Sequence, residues 1–86
     1  MKLLYCKDCS DLIELNLNER TCICGKTKGR YIDNVNAVYS GNCIPMGVNN
    51  NFLLVARRLY EEFPGNYSIE LFTIPEDCKT MKKEKL

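Results

Sequence analysis

The apolar residues of this chain change period as they run, and each change predicts an element. Ile13, Leu15 and Leu17 alternate with Glu14, Asn16 and Asn18, the period-two signature of a half-buried strand. Asn16 to Arg20 supplies turn chemistry, and the β-branched Thr21 and Ile23 read as a returning strand. Alternation resumes from Tyr31 to Tyr39 as one or two strands. Ser40-Gly41-Asn42 is a turn, and Cys43 to Val48 forms a further strand with Ile44, Met46 and Val48 on one face. Pro45 inside it predicts an edge position, because proline cannot donate to a ladder.

The period then lengthens. Phe52, Val55, Ala56, Leu59 and Phe63 fall at i, i+3, i+4, i+7 and i+11, one apolar stripe of a helix over residues 50–63. One of Asn49 to Asn51 caps its start, and Phe63-Pro64-Gly65 stops it. Arg57–Glu61 and Arg58–Glu62 are i,i+4 pairs on the solvent face, each worth about 0.2–0.5 kcal/mol at best. Tyr67 to Pro75 reads as a last strand with Ile69, Leu71, Phe72 and Ile74 apolar. The helix stripe needs a sheet to cover, and the strands of residues 31–75 provide one. The tail from 76 to 86, with Lys79, Lys82, Lys83 and Lys85, is expected to fray.

Size sharpens the picture. A chain of 86 residues makes one domain, and so small a domain buries only about 60–65% of the surface its unfolded form exposes. Such domains often need a staple, and six cysteines could supply one. Met1 to Tyr5 is too short an apolar run for a secretory signal, and no run reaches membrane-spanning length. The expected setting is therefore the cytoplasm, where disulfides are rare, which favours metal over disulfides and excludes a membrane partner.

The cysteines pair as Cys6-x2-Cys9 and Cys22-x-Cys24, with 12 residues between the pairs. Paired spacing of this kind reads as a zinc site: a tetrahedral ion takes four sulfurs at about 2.3 Å, so each pair must sit on a tight turn aimed at one point. The 12 residues between must go out and come back, as a hairpin of two short strands would. Gly25 follows the last cysteine, where a knuckle needs positive φ or lets backbone amides approach sulfur. Iron is the competing metal, since thiolates suit both ions.

The segment Cys6 to Cys24 resembles a zinc ribbon, whose two knuckles usually read Cys-x2-Cys-Gly. The resemblance implies Cys6, Cys9, Cys22 and Cys24 as ligands of one structural Zn2+. The second knuckle departs from the pattern as Cys-x-Cys, and neither carries the frequent proline. More narrowly, "CICGKTKGRYIDN" with "YSGNCIPMG" is similar to a group of short uncharacterised bacterial proteins that share a Cys-x-Cys-Gly-Lys knuckle running into Gly-Arg-Tyr; the size and Asn/Lys-rich composition also suit a phage protein. The expected fold class is α+β: a zinc ribbon over residues 1–30 continuing into a small, mainly antiparallel sheet packed by one helix.

The same residues bound the function. Four thiolates leave no open position on the ion, whereas catalytic zinc keeps one, and the chain has no histidine, the commonest general base. Glu14, Glu61, Glu62 and Glu70 fall on expected solvent faces. Cys43 reads as a small buried hydrophobe and Cys78 precedes the tail, neither with a histidine to activate it. The expectation is a non-enzymatic binding module, first of all a protein-interaction adaptor or regulator. Lys7, Lys26, Lys28 and Arg30 cluster about the knuckles with Tyr31 available to stack on a base, which makes nucleic acid the alternative partner. The formal charge of +1 is unlike the strongly basic balance of most nucleic-acid binders, and the basic residues also offset a tetrathiolate centre. A small anion at the Asn49–Asn51 helix start, near Arg30 and Tyr31, is the least favoured ligand.

Overall fold

The computed structural model describes residues 1–86. Its eight strands are β1 (Lys2–Cys6), β2 (Leu12–Glu14), β3 (Arg20–Thr21), β4 (Lys28–Tyr31), β5 (Ala37–Ser40), β6 (Cys43–Val48), β7 (Leu71–Thr73) and β8 (Met81–Lys83), with one helix, α1 (Asn50–Glu62), between β6 and β7. The class is α+β, as the alternation and the single 3.6-period stripe predict. The strands form two four-stranded sheets, in the orders β2-β1-β6-β7 and β3-β4-β5-β8. All pairings are antiparallel except β5 with β8.

The core lies where the sheets face each other. Leu4 and Cys6 of β1, Ile13 of β2 and the following Leu15 meet Ala37 and Tyr39 of β5, Met81 of β8 and Cys22. Full burial of one such aliphatic side chain stabilises by about 1.5–3 kcal/mol. Gly29 lets the sheets approach: a Cβ there would lie 2.7 Å from Leu4 Cδ1 and 3.1 Å from the Val38 carbonyl oxygen.

Several expectations need correction. First, residues 10–21 do not form one hairpin. They do go out and come back, around an Asn16 turn in which the Asn18 amide donates to Asn16 Oδ1 at 2.8 Å. However, β2 pairs with β1 and β3 with β4, so each cysteine pair tips its own hairpin. Second, β6 is a central strand. Pro45 is tolerated there because its nitrogen faces β7, as its carbonyl does in accepting from the Ile74 amide at 2.8 Å, and β7 has already ended at Thr73. Residues of one strand point N–H and C=O to the same side, so the missing donor falls beyond the ladder.

Third, the tail does not fray at residues 81–83. These residues pair in parallel with Ala37, Val38 and Tyr39, and Met81 is 1% exposed. Lys2 holds the tail to the amino terminus, its Nζ donating to the carbonyls of Thr80 (2.8 Å) and Val35. Fourth, α1 does not cover a sheet. Its cap is as expected, with Asn49 Oδ1 accepting from the Asn51 amide at 2.9 Å, but none of its residues is buried. Of the Tyr67–Pro75 strand only β7 forms. The β4–β5 connection, which alternation reads as strand, is a turn held by Asp33, whose carboxylate accepts from the amides of Val35 (2.8 Å) and Asn36 (2.7 Å) and from the Asn36 side chain (2.9 Å).

These pairings leave the molecule elongated, 44 × 26 × 23 Å. β6 begins beside the cysteines, with Cys43 opposite Cys6, and ends at Val48, where the chain leaves as residues 49–70. No residue of that arm is buried. No helix is long and apolar enough to cross a membrane.

Candidate metal centre

The first knuckle forms where β1 ends. The Ser10 amide donates to the Cys6 carbonyl at 2.8 Å and the Cys6 amide to the Asp11 carbonyl at 2.9 Å, closing a turn that brings Cys9 back over Cys6. Ser10 completes it at φ 61°, a left-handed conformation uncommon outside glycine and asparagine. The Lys7 amide donates to the Asn42 carbonyl at 2.9 Å, tying this knuckle to the β5–β6 turn.

The second knuckle leaves β3. The Gly25 amide donates to the Cys22 carbonyl at 3.0 Å, and Gly25 sits at φ 78°. A Cβ there would meet nothing within 4 Å, so backbone conformation, not space, requires the glycine. The Cys22 amide donates to the Thr27 carbonyl at 3.0 Å, and the Thr27 amide lies 3.4 Å from Cys22 Sγ. Asp11 joins the two knuckles: its Oδ2 accepts from the Ile23 amide at 3.0 Å.

The result is one cluster. The sulfurs of Cys6, Cys9, Cys22 and Cys24 all lie within 4.8 Å of one another, with Cys24 at 3.4 Å from Cys22 and 3.7 Å from Cys6. A tetrahedral ion with metal–sulfur bonds of about 2.3 Å separates its ligands by about 3.8 Å, so the four thiols fit one ion. Cys6 and Cys22 are buried in the core, Cys9 is half-buried and Cys24 faces solvent. The site thus closes one end of the core, and its metal would hold both hairpins there. All six cysteines are free.

Electrostatics support the fit. The Thr27 hydroxyl, against burial, lowers the Cys6 thiol. Burial pushes the Cys22 thiol up, yet the Thr27 amide and the neighbouring sulfurs outweigh it and hold it at about 6. At Cys24 the Lys26 amide pulls down, but the Cys22 sulfur, burial and the other thiols carry it to about 12. Cys6 and Cys22 are thus shifted toward the thiolate and Cys24 toward the thiol. A cation at the centre opposes the shift at Cys24, because thiolates are the ligand form.

Thr27 is a member of the site that the sequence did not reveal. It is fully buried, and its hydroxyl oxygen has no partner in good hydrogen-bond geometry, though it faces the Cys6 and Cys43 sulfurs. A hydroxyl beside a thiolate donates to it, and such outer-shell donors tune metal sites. Nothing in "GKTKG" distinguishes Thr27 from a surface threonine; nor does the sequence show that Asp11 reaches across. Cys43 lies near the cluster, its thiol pushed up by burial, and Cys78 packs at the core edge, lowered by the Thr80 hydroxyl.

The basic residues divide between the knuckles and β4. Lys7 and Lys26 are exposed on the two knuckles. Lys28 and Arg30 project from the outer face of β4, and strand alternation sends Tyr31 to the inner face with Gly29. There the Tyr31 ring packs against the core, its hydroxyl accepts from the Lys2 amide at 3.0 Å, and Lys2 Nζ sits 5.6 Å from the ring centroid. Lys82 takes its place on the outer face: register sets Arg30, Val38 and Lys82 in one row. Val38 is buried although its neighbours Ala37 and Tyr39 point into the core, and long cationic side chains stand on either side of it in register, a type whose stems can cover apolar surface.

Set against protein-family models, curated proteins and solved structures, the chain matches none.

Proposed function

We propose that this chain is a non-catalytic, zinc-stabilised module that binds another protein as an adaptor or regulator. The observation that carries the reading is the arm of residues 49–70. It presents Phe52, Val55, Leu59 and Phe63 to solvent, from 40 to 68% exposed, at the end of β6 remote from the cysteines. Monomers rarely leave a large contiguous apolar patch uncovered. Zinc is the metal of this reading, with iron as competitor, because a closed four-thiolate tetrahedron is its commonest structural site. Four sulfur ligands leave no position for substrate, so the ion organises the fold and performs no reaction. A reducing, cytoplasmic setting belongs to the same reading, as does the likeness of "CICGKTKGRY" to short bacterial proteins, which names no activity.

The test is affinity capture from the native host with metal-loaded wild type, Leu59→Arg and Lys28→Glu/Arg30→Glu. Specific proteins retained by wild type and the β4 variant but lost with Leu59→Arg are expected. Identical capture by wild type and Leu59→Arg, or none by either, overturns the reading. One observation favours nucleic acid as a second reading: the outer-face row of Arg30 and Lys82, beside Lys28, contains no acid. Three phosphate contacts predict a slope of log K against log salt of about −2.7 on duplex DNA. Anisotropy with random DNA and RNA decides it, and salt-independent or absent binding ends it.

A further inference from the structure

The arm identifies its own partner. Starting from the reading that it is a binding surface, we infer that its occupant is a second copy of this chain, packed antiparallel against α1 across a two-fold axis near Leu59 and Tyr60.

The helix cannot stand by itself. Isolated helices shorter than about 12–15 residues are marginal in water, and most helical stability in proteins comes from packing an apolar face. α1 has 13 residues, none buried, with no acid in its first turn and no base in its last. Its support within the chain is the Asn49 cap, the Arg57–Glu61 ion pair at 3.0 Å, and the return segment, where the Tyr67 hydroxyl donates to the Phe63 carbonyl. That segment lies along one side of the stripe and leaves an open apolar groove of about 320 Å³ bordered by Phe52, Val55, Leu59 and Tyr67.

The exposed area suits a small two-fold contact. On the stripe side Phe52, Val55, Leu59, Phe63 and Tyr67 are between 37 and 68% exposed. At about 150–250 Å² for a whole aromatic side chain, these amount to roughly 500 Å² on each copy. Across a dimer that is about 1,000 Å², at the low end of specific interfaces.

Charge selects a second copy and the orientation. At about 100° per residue, Arg58 and Glu62 lie together on the flank of the stripe opposite the return segment, while Arg57 and Glu61 lie behind it. The rear pair forms the only ion pair of the chain; Arg58 and Glu62 do not pair, contrary to expectation. A two-fold axis perpendicular to two antiparallel helices keeps the same flanks adjacent and reverses their direction. With the axis near residue 60, Arg58 of each copy meets Glu62 of the other, twice. Leu59 then packs beside its own counterpart, and Phe63 enters the space between Val55 and Leu59 of the second copy. A parallel pair instead sets this flank against the return segment, whose single charge, Glu70, precedes the Leu71–Val48 pairing at the helix start and so lies about two turns from the level of Arg58. Self-complementarity under a two-fold is what an isologous interface requires.

The experiment is sedimentation equilibrium of the full, metal-loaded chain from low-micromolar to near-millimolar concentration. A mass approaching twice 9.9 kDa is expected. Leu59→Arg is expected to leave a monomer. Arg58→Glu and Glu62→Arg, each alone, should raise the dimer Kd about tenfold by opposing like charges, and Arg58→Glu/Glu62→Arg together should restore it to within about threefold. All three positions are exposed, and metal stoichiometry checks that the body has folded. A monomer throughout overturns the inference while leaving the protein-binding reading to its own capture test. A dimer indifferent to Leu59→Arg, or a double exchange no better than the single ones, also overturns it.

Discussion

Replacing Thr27 by valine tests how the four-cysteine cluster is held, because the two accounts of its hydroxyl predict opposite signs. The side chain is 0% exposed and its oxygen has no partner in good geometry. If that hydroxyl is an orphan in the working protein, it costs about 1–3 kcal/mol of desolvation, and the isosteric valine stabilises by that amount. If instead it donates to the Cys6 thiolate once an ion is bound, its removal forfeits a bond to a charged acceptor worth about 1.5–3 kcal/mol. Outer-shell losses of this kind lower metal affinity about 10- to 100-fold. The amide of residue 27 stays in place beside Cys22 Sγ at 3.4 Å in either case, so the substitution isolates the hydroxyl. Competition for zinc against a chromophoric chelator at fixed pH reads the difference. We expect Thr27→Val to weaken binding by that factor and Thr27→Ser, which keeps the hydroxyl, to stay within a few-fold of wild type. A valine variant that holds zinc as tightly as wild type, or more so, refutes the assignment.

Three further outcomes follow from the geometry. Gly29→Ala should destabilise by about 1–3 kcal/mol in urea, since overpacking outweighs the smaller gain from a stiffer unfolded chain: the new methyl would sit 2.7 Å from Leu4 Cδ1 and 3.1 Å from the Val38 carbonyl. Equal or greater stability would show that the sheets can part there without cost. Chelation should collapse the amide dispersion of the core and not merely that of residues 6–27, because Cys6 and Cys22 belong to the same buried cluster as Leu4, Tyr39 and Met81, and zinc should restore it; dispersion unchanged after complete metal removal contradicts this. Asp33 is held down at about 2 by the Asn36 side chain and the amides of Asn36 and Val35. Its contribution is therefore complete above the ordinary value of 3.8 and is lost as pH falls through about 2. Carboxyl carbon shifts followed by NMR should titrate there, and a midpoint at the ordinary value removes the turn assignment.

The site was largely legible because its chemistry is local. Cysteines two or three residues apart must sit on a turn, and Gly25 declares the conformation that turn takes. What spacing could not supply was the partner of each strand. Twelve residues that leave and return satisfy the cluster equally as one hairpin or as the inner halves of two, and the choice depends on Lys2–Cys6 pairing with Leu12–Glu14. Residues 1–5 offer no alternation that announces this strand. Asp33 misled in the opposite direction: period-two hydrophobicity continues through a turn that its carboxylate holds.

The helix shows a different limit. Its span, cap and stripe could all be read from residues 49–65, because propensity and period report which face is apolar. They do not report what covers that face, since a stripe meant for the chain's own sheet and one meant for another molecule have the same period. The body's core closes without the helix: Met81, on a tail that charge alone marks as solvent-bound, packs into it beside Ala37. One apolar residue at the right register outweighs three flanking lysines, because the lysines keep their charges in solvent while Met81 gains full burial. α1 lies outside that core, and Arg58 and Glu62, which could have paired within the helix, stay free beside its apolar face. The proposed contact would use that free couple as part of a polar rim around the stripe.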